Sequence, residues 1–378
     1  MTDQFLYQPK SQRIQDLYRG CLLGGAVGDA LGAPVEFMSA TEITRKFGPH
    51  GIQEFVPAFG RLGAITDDTQ MTLFTAEGVM RGWVRGNQRG LCHMPSVIAY
   101  AYQRWLHTQG RHHKMHETCL DGWLIGHKEL FSCRAPGITC LSGLQAMTDS
   151  SSVASNDSKG CGGVMRVAPI GMYFATLASG NPQDQAEYLK GAFELGCEAA
   201  TITHGHPTGQ LASGAFSAIV MQLLLGVRLS QAVDTVFLLL AEQPSHEETT
   251  HAIDAARRLA SERPNDAEAL AQLGGGWIAE EALAIALYCA LSVDDLRSGV
   301  VLAVNHGGDS DSTGSLAGQL LGAMLGVQSI PASWLEPLEL RIVIETMADD
   351  LVTFREWQLD EKHTRDQGDF NFNRYPGS

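Results

Sequence analysis

The chain has no C-x-x-C pair among its eight cysteines, so zinc-finger spacings and thioredoxin-like motifs are excluded. The cysteines read as free thiols of a reducing compartment. Basic residues are in deficit: 27 Lys and Arg against 42 Asp and Glu give a formal net charge of −15. A nucleic-acid binder needs a basic face, so nucleic acid is not expected as the main partner, although a phosphate can still occupy a local pocket. No low-complexity run is present. Apolar stretches such as those around Phe237 to Ala241 and Cys289 to Leu291 read as far short of a bilayer span. The segment Met1 to Leu6 has no basic region leading into an apolar one, so a cytoplasmic protein is expected. There is no G-x-S-x-G elbow. The turn Gly160–Gly163 lacks the Lys-Ser/Thr ending of a Walker loop, and the glycines of 20–32 have no preceding strand to make them a dinucleotide fingerprint.

What remains is helical. About 44% of the 378 residues are apolar, enough for a sizeable core. Apolar residues recur near a 3.6-residue period, predicting helices over 14–31, 68–84, 95–107, 185–203, 209–225, 231–242, 247–261, 278–290, 294–305, 314–325 and 337–354. Alternating strand patterns with hairpin turns are scarce. The expectation is an all-α fold: a single domain over 1–360 and a loosely ordered tail over 361–378. The glycines of 20–32 are expected to let helices pack closely. The histidines His112, His113 and His116 are expected in a solvated loop.

Two acidic clusters carry the chemistry. Thr66-Asp67-Asp68 opens one predicted helix, and Asp309-Ser310-Asp311-Ser312 precedes another after Gly307-Gly308. Adjacent carboxylates repel and do not stay ionised without a counter-charge. A divalent cation is the simplest one. With Thr66, Asp67, Asp68, Asp309, Asp311 and Ser312 as donors the set is all oxygen, with no Cys, which selects Mg²⁺ or Mn²⁺ and disfavours zinc or copper. Four carboxylates exceed what one Mg²⁺ takes and suit two metals sharing ligands. An EF-hand is excluded because the twelfth-position Glu is missing.

Five segments together resemble the ADP-ribosylglycohydrolase family: Gly24 to Gly32, Ile65 to Thr69, Gly160 to Pro169, Thr203 to His206 and His306 to Gly314. The stretch Gly274 to Ala282 is similar to the bacterial members, those like the dinitrogenase reductase activating glycohydrolase. The resemblance implies a compact orthogonal helical bundle and a hydrolase that removes ADP-ribose from modified proteins with two Mg²⁺ or Mn²⁺ ions. It places the metals on Thr66, Asp67, Asp68, Asp309, Asp311 and Ser312, with Glu36 as a further ligand or gate. It also implies that Ser158, Gly160, Cys161, Gly162, Gly163 and Met165 wrap the diphosphate and distal ribose, that His204 contacts ADP-ribose, and that Gly275 and Trp277 line the adenosine side. Some relatives acting on serine-linked ADP-ribose carry Asn where Cys161 stands, which leans this chain toward arginine.

The chemistry agrees. Cleaving the C1″–N bond builds oxocarbenium-like charge. A metal pair can hold the ribose hydroxyls and acidify a water, and a carboxylate completes the deprotonation. Asp309, Glu36 and Asp68 are the candidate catalytic carboxylates, and sequence does not choose among them. Arg166 could pair with a phosphate or with a buried carboxylate. The expected partner is an ADP-ribosylated protein. The alternatives are another linkage (serine, nucleic acid or O-acetyl-ADP-ribose) and an immunity protein that neutralises an ADP-ribosylating toxin by binding as well as hydrolysis, with 4–15 as one candidate contact.

Overall fold

The computed structural model describes residues 10–359 and 373–377. Among them helices are the only extended regular elements, and β pairing is limited to the isolated bridges Ala58–Arg61 and Gly160–Ile278. The fold is all-α, as the periodicity predicts.

Two helices position the site, Lys10–Gly32 and Ser310–Leu325. Each carries glycines every four residues on the face it turns to the other. A Cβ on Gly24 would lie 2.3 Å from the Gly318 carbonyl oxygen, and one on Gly28 would lie 2.0 Å from that of Gly314. The backbones therefore touch directly, which only glycine allows. This is the close packing expected of the 20–32 glycines. It brings Asp29, near the end of the first helix, beside the acidic start of the second.

The boundaries shift where the sequence pattern carried no punctuation. The predicted helix over 68–84 is Asp67–Arg89, closed by Gly90 in the left-handed conformation (φ 71°). The helix predicted over 337–354 is instead Arg341–Thr353, preceded by Leu340 at φ 54° and by the short turn Ala332–Leu335. The helix Ala168–Gly180 was not predicted. With the 3-10 turn before it, it makes a 20-residue stretch, Cys161–Gly180, of mean hydropathy 1.2, so long apolar runs are not absent. Since 83% of the apolar window is buried within the fold, that stretch serves as core.

Two expectations need correction. His116 is buried and packs against the rings of His107, His112 and His113. Burial first, then His107, push its pKa down to about 4, so it is a neutral core residue and not part of a solvated loop. Of the tail expected to be loose, 361–372 and 378 lie outside the described residues, but Arg374 and Tyr375 are buried. Tyr375 stacks on Trp357 and donates to Asp350 Oδ2 (2.6 Å), so this short stretch is anchored. Of the contact segment 4–15, 4–9 lies outside the described residues, and 10–15 forms the first turns of the Lys10–Gly32 helix.

Candidate metal centre and substrate pocket

Thr66 caps the helix Asp67–Arg89, its hydroxyl accepting from the Asp68 N–H (3.4 Å). Asp29, which the sequence reading left without a role, fixes this turn from behind. It accepts from the N–H groups of Thr66 (3.0 Å) and Thr69 (3.2 Å) and from both hydroxyls, at 2.8 and 2.5 Å. A carboxylate given four donors is a built anchor, and its signal was the Gly28-Asp29 pair inside the first motif. Asp29→Ala orphans two buried N–H groups and should cost about 3 kcal/mol. Thermal melts in EDTA check this, and a loss below about 0.5 kcal/mol would deny the anchor role.

The second cluster is fixed by a different loop. The Asp309 N–H donates to the Gly275 carbonyl (2.8 Å), and Glu281 Oε2 accepts from the N–H groups of Gly275 (3.0 Å) and Gly276 (3.1 Å). Asp311 stands in the first turn of its helix and accepts from the Ser312 N–H (3.0 Å). Glu281 is a further positioning residue that the sequence reading missed, although it lies within the 274–282 motif.

The two helix starts converge. Glu36, Asp67, Asp68, Asp309 and Asp311 are all buried together, and Glu36, Asp309 and Asp311 each offer an oxygen within 4.8 Å of the others. Burial and then the charge of Asp311 push Glu36 up to about 10 and Asp29 up to about 7. Burial likewise raises Asp67, Asp68, Asp309 and Asp311 above the ordinary range; neighbouring carboxylates add to this at Asp67, Asp68 and Asp309, while at Asp311 hydrogen bonds with Asp309, Ser312 and Glu36 oppose it. Among the described residues no Lys or Arg lines this pocket. Asp68 Oδ1 and Glu36 Oε2 are buried with no hydrogen-bond partner. Uncompensated carboxylates with unpartnered oxygens aimed at one space fit a divalent cation.

Two sulfurs stand beside the acidic cluster. Cys161 Sγ lies 2.7 Å from Asp309 Oδ2 and 3.7 Å from the Ser312 hydroxyl, and Met165 Sδ is 3.9 Å from that same hydroxyl. Burial and then Asp309 hold Cys161 well above the usual thiol range, so in the metal-free protein its S–H donates to that carboxylate.

These groups form the floor of a cavity of about 500 Å³. Its wall carries Gly160, Cys161, Gly162, Met165, His204 and Ser312, and its mouth the exposed side chains of Phe37, Ile138 and Trp277. Phe37 and Trp277 stack at 5.8 Å, so Trp277 is a surface ring and not a core one. Thr66, Ser158, Gly163 and Gly275 lie behind the wall. A Cβ on Gly163 would face Ala200 and Ser213, and Gly275 serves as the link to Asp309. The expected cradle of loop N–H groups is narrower than the glycines suggest: the Gly160 N–H donates to Ser158 Oγ (3.3 Å) and that of Cys161 to the Trp277 carbonyl (3.1 Å). His204 lies under the loop, with Nδ1 on Thr203 Oγ1 (2.8 Å), and burial followed by Arg166 lowers its pKa to about 3. Arg166 does not line the cavity, and among the described residues it pairs with no carboxylate. It is fully buried, donates to the Ala199 carbonyl and Thr203 Oγ1, and stacks on Tyr102.

The ADP-ribosylglycohydrolase family profile matches residues 10–360. The chain belongs to the ADP-ribosylglycohydrolase family. It is 28% identical over 338 residues to the ADP-ribosyl-(dinitrogen reductase) glycohydrolase of Rhodospirillum rubrum, covering 87% of this chain and 92% of that one. It is 23% identical to the ADP-ribosylarginine hydrolase Tri1 of Serratia proteamaculans (91% and 80% covered) and 24% identical to the ADP-ribosylhydrolase ARH3 of Bos taurus (85% and 88%). A solved ADP-ribosylglycohydrolase-related protein complex superposes with a TM-score of 0.62 at 26% identity, over 90% of this chain and 98% of that one. The family is one of metal-dependent hydrolases that remove ADP-ribose from modified substrates.

Proposed function

We propose that the protein hydrolyses the N-glycosidic bond between ADP-ribose and an arginine side chain, using two Mg²⁺ or Mn²⁺ ions held by Asp67, Asp68, Asp309, Asp311, Glu36 and the hydroxyls of Thr66 and Ser312. The observation that carries this reading is the pair of acidic helix starts meeting, without a basic partner, at the floor of an open pocket. An acidic pocket in a chain of net charge −15 also attracts the cationic guanidinium of an arginine adduct more than a neutral serine ether. The relative named ADP-ribosylarginine hydrolase Tri1 points the same way.

Bound divalent cations would supply the charge that holds the ribose hydroxyls and acidifies a water. The protein's own residues do the rest. Phe37 and Trp277 offer stacked rings at the mouth for the adenosine end. With its own proton displaced in the metal-loaded site, Glu36 takes the proton of the attacking water and returns it to the departing guanidine nitrogen as the C1″–N bond breaks. Asp309 accepts from Cys161 and is less free for that role.

A panel of ADP-ribosyl-arginine, ADP-ribosyl-serine, ADP-ribosylated nucleic acid and O-acetyl-ADP-ribose, each with Mg²⁺ or Mn²⁺, tests the linkage. Release from the arginine adduct is expected; release only from another member would overturn the assignment. An Asp68→Ala variant separates hydrolysis from toxin occlusion: protection against an arginine-modifying toxin should vanish along with turnover.

A further inference from the structure

The presence of a thiol among carboxylates bears on which metal this site prefers. Cys161 stands on the cavity wall with its sulfur 2.7 Å from Asp309 Oδ2 and 3.7 Å from the Ser312 hydroxyl. Its position is fixed by the backbone, because its N–H is tied to the Trp277 carbonyl (3.1 Å) at the isolated bridge between Gly160 and Ile278. A second sulfur, Met165 Sδ, lies 3.9 Å from the same Ser312 hydroxyl. Independently of either sulfur, Asp68 Oδ1 and Glu36 Oε2 are buried and unpartnered, both residues line the same cavity, and Glu36, Asp309 and Asp311 each offer an oxygen within 4.8 Å of the others, which is what a ligand position looks like without its ion. A set of pure carboxylates and hydroxyls suits hard cations such as Mg²⁺ and Mn²⁺, whereas one thiolate shifts preference toward Fe²⁺, Co²⁺ and Zn²⁺.

We propose that Cys161 is a further donor to this centre, and that it lets the position beside Asp309 and Ser312 take Co²⁺, Fe²⁺ or Zn²⁺ more tightly than Mg²⁺. This rests on the reading of the acidic cluster as a metal centre. On binding, the S–H bond breaks, its electron pair becomes the sulfur–metal bond, and the proton passes to solvent. Asp309 Oδ2, which accepted that proton's hydrogen bond in the metal-free protein, is then free to bind the same ion.

The experiment is a Co²⁺ titration of the reduced, metal-stripped full chain under anaerobic conditions, read by thiolate-to-metal charge-transfer absorption and by calorimetry, with Mn²⁺ and Mg²⁺ in parallel. Four proteins are compared: wild type, Cys161→Ser, Cys133→Ser as a control for the exposed cysteine, and Asp311→Asn. The expected result is a charge-transfer band in wild type and Cys133→Ser that is absent in Cys161→Ser. Co²⁺ affinity should fall about tenfold or more in Cys161→Ser while Mg²⁺ affinity changes less than about twofold. If Co²⁺ and Mn²⁺ bind in an Asp311-dependent way, yet no thiolate band appears in wild type, Cys161 is not a donor and the oxygen-only centre stands. If neither ion binds in an Asp311-dependent way, the metal centre itself is wrong and the inference goes with it. The wild-type spectrum decides even if Cys161→Ser folds poorly, and Cys161→Asn provides a second variant.

Discussion

Asp311→Asn is expected to make the metal-free protein more stable and nearly inactive. Asp311 is among the charges that raise Asp29, Glu36, Asp67, Asp68 and Asp309. Removing its charge relieves repulsion at every one of those neighbours. Asparagine keeps the carbonyl oxygen that accepts from the Ser312 N–H, so local geometry survives. The metal-free variant should gain about 1–2 kcal/mol, on the scale of a pKa unit or so of relieved interaction. Added Mn²⁺ should raise the melting temperature of wild type strongly and of the variant little, because mass action stabilises only a state that binds. Hydrolysis should drop by about three orders of magnitude, the several kcal/mol ordinarily attributed to metal charge stabilisation. A variant less stable than wild type in EDTA would show that the carboxylates are not repelling one another.

The second large effect concerns pH. Folded, Asp29 and Glu36 hold their protons up to about pH 7 and 10, against ordinary values of 3.8 and 4.5. The folded chain therefore binds more protons than the unfolded one across that interval, and stability falls as pH rises. Histidines work in the opposite direction at lower pH: His204 is lowered from 6.5 to about 3, His116 and His306 to about 4, so acid favours the unfolded chain below 6.5. The carboxylate effect is thus cleanest above pH 6.5. Between about pH 6.5 and 9 the metal-free protein should lose stability by up to roughly 1.4 kcal/mol per pH unit for each retained proton. With divalent metal the trend should flatten or reverse, because metal displaces those protons and binds better as pH rises. Denaturant titrations at several pH values, with EDTA and with Mn²⁺, check both limbs. A metal-free stability that rises across this range would contradict the assigned cluster.

The helical class was legible because long amphipathic segments carry a strong periodic signal. The two acidic clusters were legible because paired carboxylates at helix starts have few other uses. What sequence could not supply was distance. Nothing in Gly28-Asp29 says that Asp29 turns back to hold Thr66 and Thr69, since that depends on the glycine-on-glycine crossing of two helices almost 300 residues apart. Nothing in Gly160-Cys161-Gly162 says that the thiol points at Asp309 and not at the core. Arg166 has the look of a phosphate ligand in one dimension and is a buried cross-link in three. The helix Ala168–Gly180 was missed because its largely apolar residues, mostly buried within the fold, leave no polar face to set a period.

The central claim is that Asp67, Asp68, Asp309, Asp311 and Glu36 exist to hold cations. Anomalous diffraction from a Mn²⁺-soaked crystal tests it most directly. The account predicts two anomalous peaks roughly 3.5–4 Å apart between the two helix starts, both lost in Asp311→Asn. No peak within that cluster, in crystals where Mn²⁺ is seen elsewhere on the protein, would contradict it.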